Sequence, residues 1–206
     1  MTRVLGRITS INVRKVLWAL DEIGEAYERE DWGLPLRDPN VPELLALNPN
    51  AQIPVLIEDD GTSLWESNAL LVYLAQTRGR LLPTDRRSLG LCLQWLGWQA
   101  TELNNSWSYV VPALLRKAPG YDDAERITAA IGKWTGTMSI LEGELAKGNT
   151  FIAGDTFSIA DIALGLSCHR WFKTPFEKPE LPAVKAYYDR LQERPAGARW
   201  MPEEIG

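Results

Sequence analysis

The sequence predicts an α/β region followed by an all-helical region, and three observations carry that reading. Short strand and helix signals alternate from residue 1 to about 78. Strand signals nearly vanish from about Asp85 onward, where long helical patterns take over. Between the two, Gly79, Pro83 and several charges break the pattern, which places a linker at 79–85 and domains at 1–78 and 86–206.

Arg3 to Leu5 reads as a short strand. Asn12 to Ile23 reads as a helix, because Val13, Val16, Leu17, Leu20 and Ile23 form one apolar stripe. Ser10 and Asn12 can both cap its start, and Gly24 stops it. Tyr27 to Asp31 is a second strand, and Pro42 to Leu47 a short helix ended by Asn48-Pro49. Pro54 to Ile57 is a short apolar run of the kind a strand buried on both faces shows. Asp59-Asp60-Gly61 turns the chain into a return strand at Ser63 to Trp65, and Glu66 to Thr77 is helical. The order is β-α-β-α-β-β-α.

In the second region a helical stretch from Asp85 toward Lys117 should kink or end at Pro112. Asp122 to Lys147 is the clearest helix, with Ile127, Ile131, Trp134, Met138, Leu141 and Leu145 on one stripe and acidic residues at its start. Ser158 and Asp161 have the spacing of a capping box. Leu181 to Arg194 is the last helix, ended before Pro195.

Composition excludes several function classes. With 206 residues the chain can bury a core without disulfide or metal staples. Its 22 Lys and Arg against 27 Asp and Glu leave a net charge of −5, which argues against gripping nucleic acid or an anionic membrane. The longest apolar run, Ala69 to Ala75, is far short of the ~20 residues of a membrane helix. The opening Met-Thr-Arg-Val-Leu-Gly-Arg holds no apolar stretch of signal-peptide length, so a soluble cytoplasmic protein is expected. Cys92 and Cys168 form no CxxC, which predicts neither a disulfide framework nor a zinc site. His169 is the only histidine. Its side chain and that of Cys168 diverge on a helix, so a buried thiol and a polar face are expected rather than a nucleophile pair. No glycine-rich phosphate loop is present.

Two segments suggest a site. Pro54 opens a strand that reads as central, where a missing N–H is unusual. Either the Ile53–Pro54 peptide is cis, turning the Ile53 backbone toward a cleft, or Pro54 is a trans residue at the strand's first position. In Trp65-Glu66-Ser67-Asn68 a strand meets a helix. Helix N-terminal N–H groups beside a serine hydroxyl suit a carboxylate, and Glu66 suits an ammonium, so an amino-acid zwitterion fits; simple capping also accounts for these residues.

In order and spacing, three segments resemble a bacterial glutathione S-transferase of the cytosolic type. They are Asn48-Pro49-Asn50-Ala51-Gln52-Ile53-Pro54-Val55-Leu56, Trp65-Glu66-Ser67-Asn68-Ala69-Leu70 and Phe157-Ser158-Ile159-Ala160-Asp161. The resemblance covers nearly the whole chain. It implies a thioredoxin-like N-terminal domain, a helical-bundle C-terminal domain, a homodimer, a cis Pro54, and glutathione as co-substrate with no metal. It also implies a role in detoxification.

Such an enzyme must stabilise a thiolate, because a free thiol of pKa near 8.5 is only a few per cent ionised at pH 7. The resemblance places that task in the loop before the first helix. Ser10 falls where serine-using, theta-like classes have their hydroxyl and a beta-like class a cysteine; Asn12 matches the asparagine of a nu-like class associated with disulfide reduction. The loop has no tyrosine. By the same resemblance Gln52, Ile53, Pro54, Glu66 and Ser67 bind glutathione. Gln52 stands where related classes often carry a lysine for the glycyl carboxylate, with Arg37 a possible substitute. Asn105, Trp107 and Tyr109 are expected at the pocket for a small, hydrophobic electrophile, with Trp171 and Phe172 as further candidates. The alternatives are a glutathione-dependent disulfide or peroxide reductase using the same site, and a non-catalytic binding module.

Overall fold

The computed structural model describes residues Met1 to Glu203. They fall into two compact units, the first from Met1 to Leu82 and the second from Pro83 onward.

The first unit is built on a four-stranded sheet in the order β2-β1-β3-β4, with β1 (Thr2–Leu5), β2 (Tyr27–Glu30), β3 (Val55–Ile57) and β4 (Ser63–Trp65). β1 runs parallel to β2 and antiparallel to β3, with Thr2 opposite Tyr27 and Val4 opposite Leu56. β4 returns antiparallel to β3 through the turn read at residues 59–61, where the Gly61 N–H donates to the Glu58 carbonyl at 2.9 Å. All three residues of β3 are buried, as its unbroken apolar run predicts. Three helices complete the unit: α1 (Ile11–Ile23), α2 (Pro42–Leu45) and α3 (Ser67–Arg78). α1 packs on α3 with Val13, Val16, Leu17 and Leu20 fully buried, and Gly24 ends it at φ 81°. On one face of the sheet Leu5, Val55 and Ile57 pack with Trp32 and Leu44. Burying each such side chain stabilises the unit by roughly 1.5–3 kcal/mol.

Arg78, in the last turn of α3, holds the far ends of this unit together. It donates to Glu25 at 2.7 Å and to Glu58 at 2.9 Å, and the Thr2 hydroxyl donates to Glu25 at 2.6 Å. The Arg78 hydrogen bond is the main reason that the Glu25 carboxyl sits below its usual 4.5. That pairing therefore stabilises the fold above the ordinary carboxylate range and loses its effect as the pH falls through the lowered folded value. Arg78→Met should cost about 2 kcal/mol at pH 7 by urea midpoint, and the difference from the parent should shrink as acid protonates Glu25. A difference independent of pH would assign the arginine's effect to its packed stem alone.

The second unit contains α4 (Arg86–Trp98), α5 (Asn104–Ser106), α6 (Ala124–Leu145), α7 (Ile159–Lys173), α8 (Pro182–Gln192) and α9 (Pro195–Trp200). The long stretch after Asp85 loses its α-helical form at Gln99, well before Pro112. Gln99–Leu103 is a π-helical turn, and Trp107 has bridge-region backbone at φ −96°, ψ 3°. Pro112 sits in the first turn of a second π-helical turn, Val111–Leu115, where its missing N–H removes little. Buried Gln99 donates to Ser167 at 3.1 Å, a polar contact that apolar spacing does not reveal.

The α6 stripe buries Trp134, Met138, Leu141 and Leu145, and Asp123 caps it through the Arg126 N–H at 3.0 Å. Trp134 stands at the centre of an aromatic cluster, 5.6 Å from Trp107 and 5.0 Å from Trp171 between ring centroids. Asp161 completes the box read from sequence by accepting the Ser158 N–H at 2.8 Å. Its carboxylate also takes the Ser158 hydroxyl at 2.8 Å, the Ile152 N–H at 2.9 Å and the Tyr187 hydroxyl at 2.7 Å. α7 is buried on every face, so His169 lies inside, 2.8 Å from the Tyr188 hydroxyl, and not on a polar face. Glu142 of α6 caps the start of α8 through the Ala183 and Val184 N–H groups at 3.0 and 2.8 Å. Pro195 does not end the helical structure. It occupies the first position of α9, where proline's fixed φ and missing N–H suit a helix start.

Candidate active site

The first unit contains a cavity of about 240 Å³ lined by Asn12, Asn48, Asn50, Gln52, Ile53, Pro54, Trp65, Glu66 and Ser67. Three elements bring these residues together. The start of α1 supplies Asn12, the loop before β3 supplies residues 48 to 54, and the β4–α3 junction supplies Trp65, Glu66 and Ser67.

Each element has a local reason for its shape. The Arg14 guanidinium donates to the Ile8 carbonyl at 2.8 Å, tying the loop before α1 back onto the helix. Gly6 approaches Val13 so closely that an added Cβ would lie 2.3 Å from Val13 Cγ2, at a backbone φ of 155°. Buried Asn48 staples the second segment: its Oδ1 accepts the Asn50 N–H at 3.0 Å and its Nδ2 donates to the Gln52 carbonyl at 2.9 Å. The Ile53–Pro54 peptide is cis, as is Leu34–Pro35. At the third segment Glu66 adopts φ 75°, and its carboxylate accepts the Ala69 N–H at 2.9 Å, capping α3. For a residue other than glycine such a backbone costs roughly 1–3 kcal/mol and persists where surrounding structure enforces it, commonly at functional sites. Ala51, between two cavity-lining residues, is a second non-glycine position at positive φ, 52°.

Of the residues singled out from sequence, Asn12, Gln52, Ile53, Pro54, Glu66 and Ser67 meet at this cavity. Ser10 does not line it. It precedes α1 as the N-cap residue without a side-chain capping bond. Asn48 and Asn50 line the cavity without having been singled out, although both lie in the segment carrying the resemblance. Buried Lys15 was also missed; its ammonium donates to Asn68 Oδ1 at 2.8 Å. Arg37 pairs with Glu43 at 2.6 Å and stacks over Trp32.

The remaining candidates belong to the second unit. Asn105 is exposed and donates to the Thr101 carbonyl. Trp107 is buried against Trp134. Tyr109 is half-buried, with Arg126 over its ring and its hydroxyl buried without a hydrogen-bond partner. Trp171 is wholly buried in the aromatic cluster and Phe172 packs on Tyr188. Among the described residues, no three or more His, Cys, Asp and Glu side chains gather to hold a metal ion. No described helix is long and apolar enough to cross a membrane.

Comparison with known proteins agrees in both units. Residues 9–77 match the family model for the glutathione S-transferase N-terminal domain, and residues 124–190 that for the C-terminal domain. Glutathione S-transferase GstB of Escherichia coli K12 is 32% identical over 199 residues, covering 95% of each chain. Disulfide-bond oxidoreductase YfcG of the same organism is 31% identical over 170 residues, covering 75% of this chain and 74% of its own. The theta-class glutathione S-transferase of Xanthomonas axonopodis pv. citri, solved with glutathione bound, superposes with a TM-score of 0.93 at 32% identity, covering 100% of this chain and 99% of that one. These matches bear out the fold class read from sequence, a thioredoxin-like domain followed by a helical one. With such similarity along nearly its entire length, the chain belongs to the glutathione S-transferase family.

Proposed function

We propose that this cavity binds glutathione and holds its sulfur as a thiolate, which attacks a small apolar electrophile. The observation carrying the reading is that Asn12, Ile53, Glu66 and Ser67, drawn from three separate segments, line one cavity of the first unit. The Glu66 carboxylate suits the glutathione ammonium, and Ser67 with the first N–H groups of α3 suits the adjacent carboxylate. Ile53 offers its backbone to the cysteinyl residue like an added strand. Gln52 and Asn50 offer neutral amides to the glycyl end. Asn12, in the first turn of α1, directs a side-chain donor and the positive end of a 13-residue helix at the sulfur. In the reaction the thiolate forms a carbon–sulfur bond and the electrophile expels its leaving group or takes up a proton. The resemblance assigns Asn105, Trp107 and Tyr109 to the electrophile's side.

Calorimetric titration with glutathione, with thiolate absorbance followed across pH, tests the reading. The expected result is binding below millimolar concentration with a thiol pKa lowered by at least about one unit, equivalent to about 1.4 kcal/mol. No binding at millimolar glutathione would overturn it.

A second reading, glutathione-dependent disulfide reduction, is favoured by the presence of Asn12 in the cavity and by the similarity to YfcG. There two glutathione thiols become one disulfide while a substrate disulfide becomes two thiols. Family membership supports a cytoplasmic homodimer that removes reactive electrophiles. Sedimentation checks the dimer, and a monomer at micromolar concentration would contradict it.

A further inference from the structure

Activated glutathione carries three negative centres: the α-carboxylate, the thiolate and the glycyl carboxylate. The start of α3 suits the first and the start of α1 the second. The third falls to the end of the cavity formed by Asn50 and Gln52, whose atoms do not suit an anion. Among the described residues lining the cavity, Glu66 alone carries a charge, and that charge is negative. Asn50 Nδ2 donates to Asn48 Oδ1 at 2.9 Å, which turns a donor inward. The Asn50 Oδ1 then remains as an acceptor with no hydrogen bond among the described residues. The exposed Gln52 side chain makes no hydrogen bond among them either, so its amide offers a donor and an acceptor together. A carboxylate has acceptors only, and it would oppose the Asn50 oxygen. An amide presents an N–H to that oxygen and a carbonyl to the Gln52 NH₂. Asn50 and Gln52 are both exposed, so this end is open to a substituent on the amide nitrogen.

We infer that this end of the cavity selects a glutathione whose glycyl carboxyl is joined in an amide over the free acid. Asn50 and Gln52 set that preference, by misfit to the acid as much as by fit to the amide. The chemistry at sulfur is unchanged. The inference rests on the glutathione reading above and names the class of thiol.

The test compares two ligands by calorimetry at pH 7: glutathione, and its glycinamide form, in which –CONH₂ replaces the glycyl carboxylate. The parent should bind the amide at least about fivefold more tightly. Gln52→Lys places an ammonium at this end and should move the ratio toward glutathione by at least about tenfold. Asn50→Ala, which removes the opposing oxygen, should bring the ratio to within about twofold of one. A variant disturbed only in its packing would lose both ligands alike and keep the ratio. Gln52 is exposed, so its replacement does not threaten the fold. A parent that binds the two equally, or glutathione more tightly, overturns the inference, as does a parental ratio in Gln52→Lys. In each of these cases a lowered thiol pKa in bound glutathione would keep the glutathione reading intact. A parent that binds neither ligand overturns that reading itself.

Discussion

Asn12→Ala is expected to lower kcat/KM with a test electrophile by about 10²-fold, the usual effect of removing one donor aimed at developing or stabilised negative charge. The Kd for glutathione should change little, because Asn12 is assigned to the sulfur and not to either end of the peptide. The thiol pKa of bound glutathione should climb back toward about 8.5. Unfolding cannot account for such a loss. Asn12 is the second residue of a 13-residue helix, where alanine is the better helix former by about 0.5 kcal/mol. Ser10→Ala should keep activity within a few-fold, since Ser10 does not line the cavity. Thiolate absorbance in both variants separates the two donors. A raised pKa in Ser10→Ala with none in Asn12→Ala would return the role to the serine, the other possibility open in the sequence.

Asp161→Asn should destabilise the protein by about 4 kcal/mol, within the range for breaking a buried charged hydrogen-bond network. Each carboxylate oxygen accepts two donors: Ile152 N–H and Tyr187 O–H on Oδ1, Ser158 N–H and O–H on Oδ2. Asparagine can place only one oxygen there. Its NH₂ would then face a backbone N–H, that of Ile152 or of Ser158, and leave it buried without an acceptor, so the isosteric change is severe. A chain of this size loses roughly 2–4 °C per kcal/mol, so the thermal midpoint should fall by about 10 °C or more. Glutathione bound to the folded remainder should show a nearly parental thiol pKa, because this carboxylate lies in the second unit and the cavity in the first. A midpoint lowered by less than about 3 °C would mean that the box is dispensable.

The elements most legible in sequence were those specified locally. The α1 stripe with Gly24 after it, the turn at residues 59–61, and the Ser158–Asp161 box each depend on residues within a few positions of one another. The departures have long-range causes. Lys15 follows Arg14 on α1 and looks like part of a solvated face, yet Asn68, 53 residues away, holds its ammonium inside. His169 looks like a surface residue on an amphipathic helix, but α7 is surrounded by other helices and Tyr188 meets the ring. The π-helical turn at Gln99–Leu103 depends on a hydrogen-bond register that apolar spacing does not encode. The site was legible mainly through its motif segments, and spacing alone could not decide between Ser10 and Asn12. That choice depends on which side chain the start of α1 directs at the cavity, a matter of rotation by about 100° per residue.

The placement of sulfur in this protein has a consequence for its own survival. Cys92 and Cys168 are both fully buried, and burial pushes the Cys168 thiol up to about 12. The thiolate is the nucleophilic form, so neither cysteine competes for an alkylating agent at neutral pH. The cavity wall likewise presents amides, a carboxylate, a hydroxyl and an indole, with no cysteine or histidine among its residues. An electrophile arriving there meets one good nucleophile, the sulfur of the dissociable tripeptide. Adducts leave with the product instead of accumulating on the catalyst, so turnover should continue in the presence of reagents that cripple enzymes with exposed thiols.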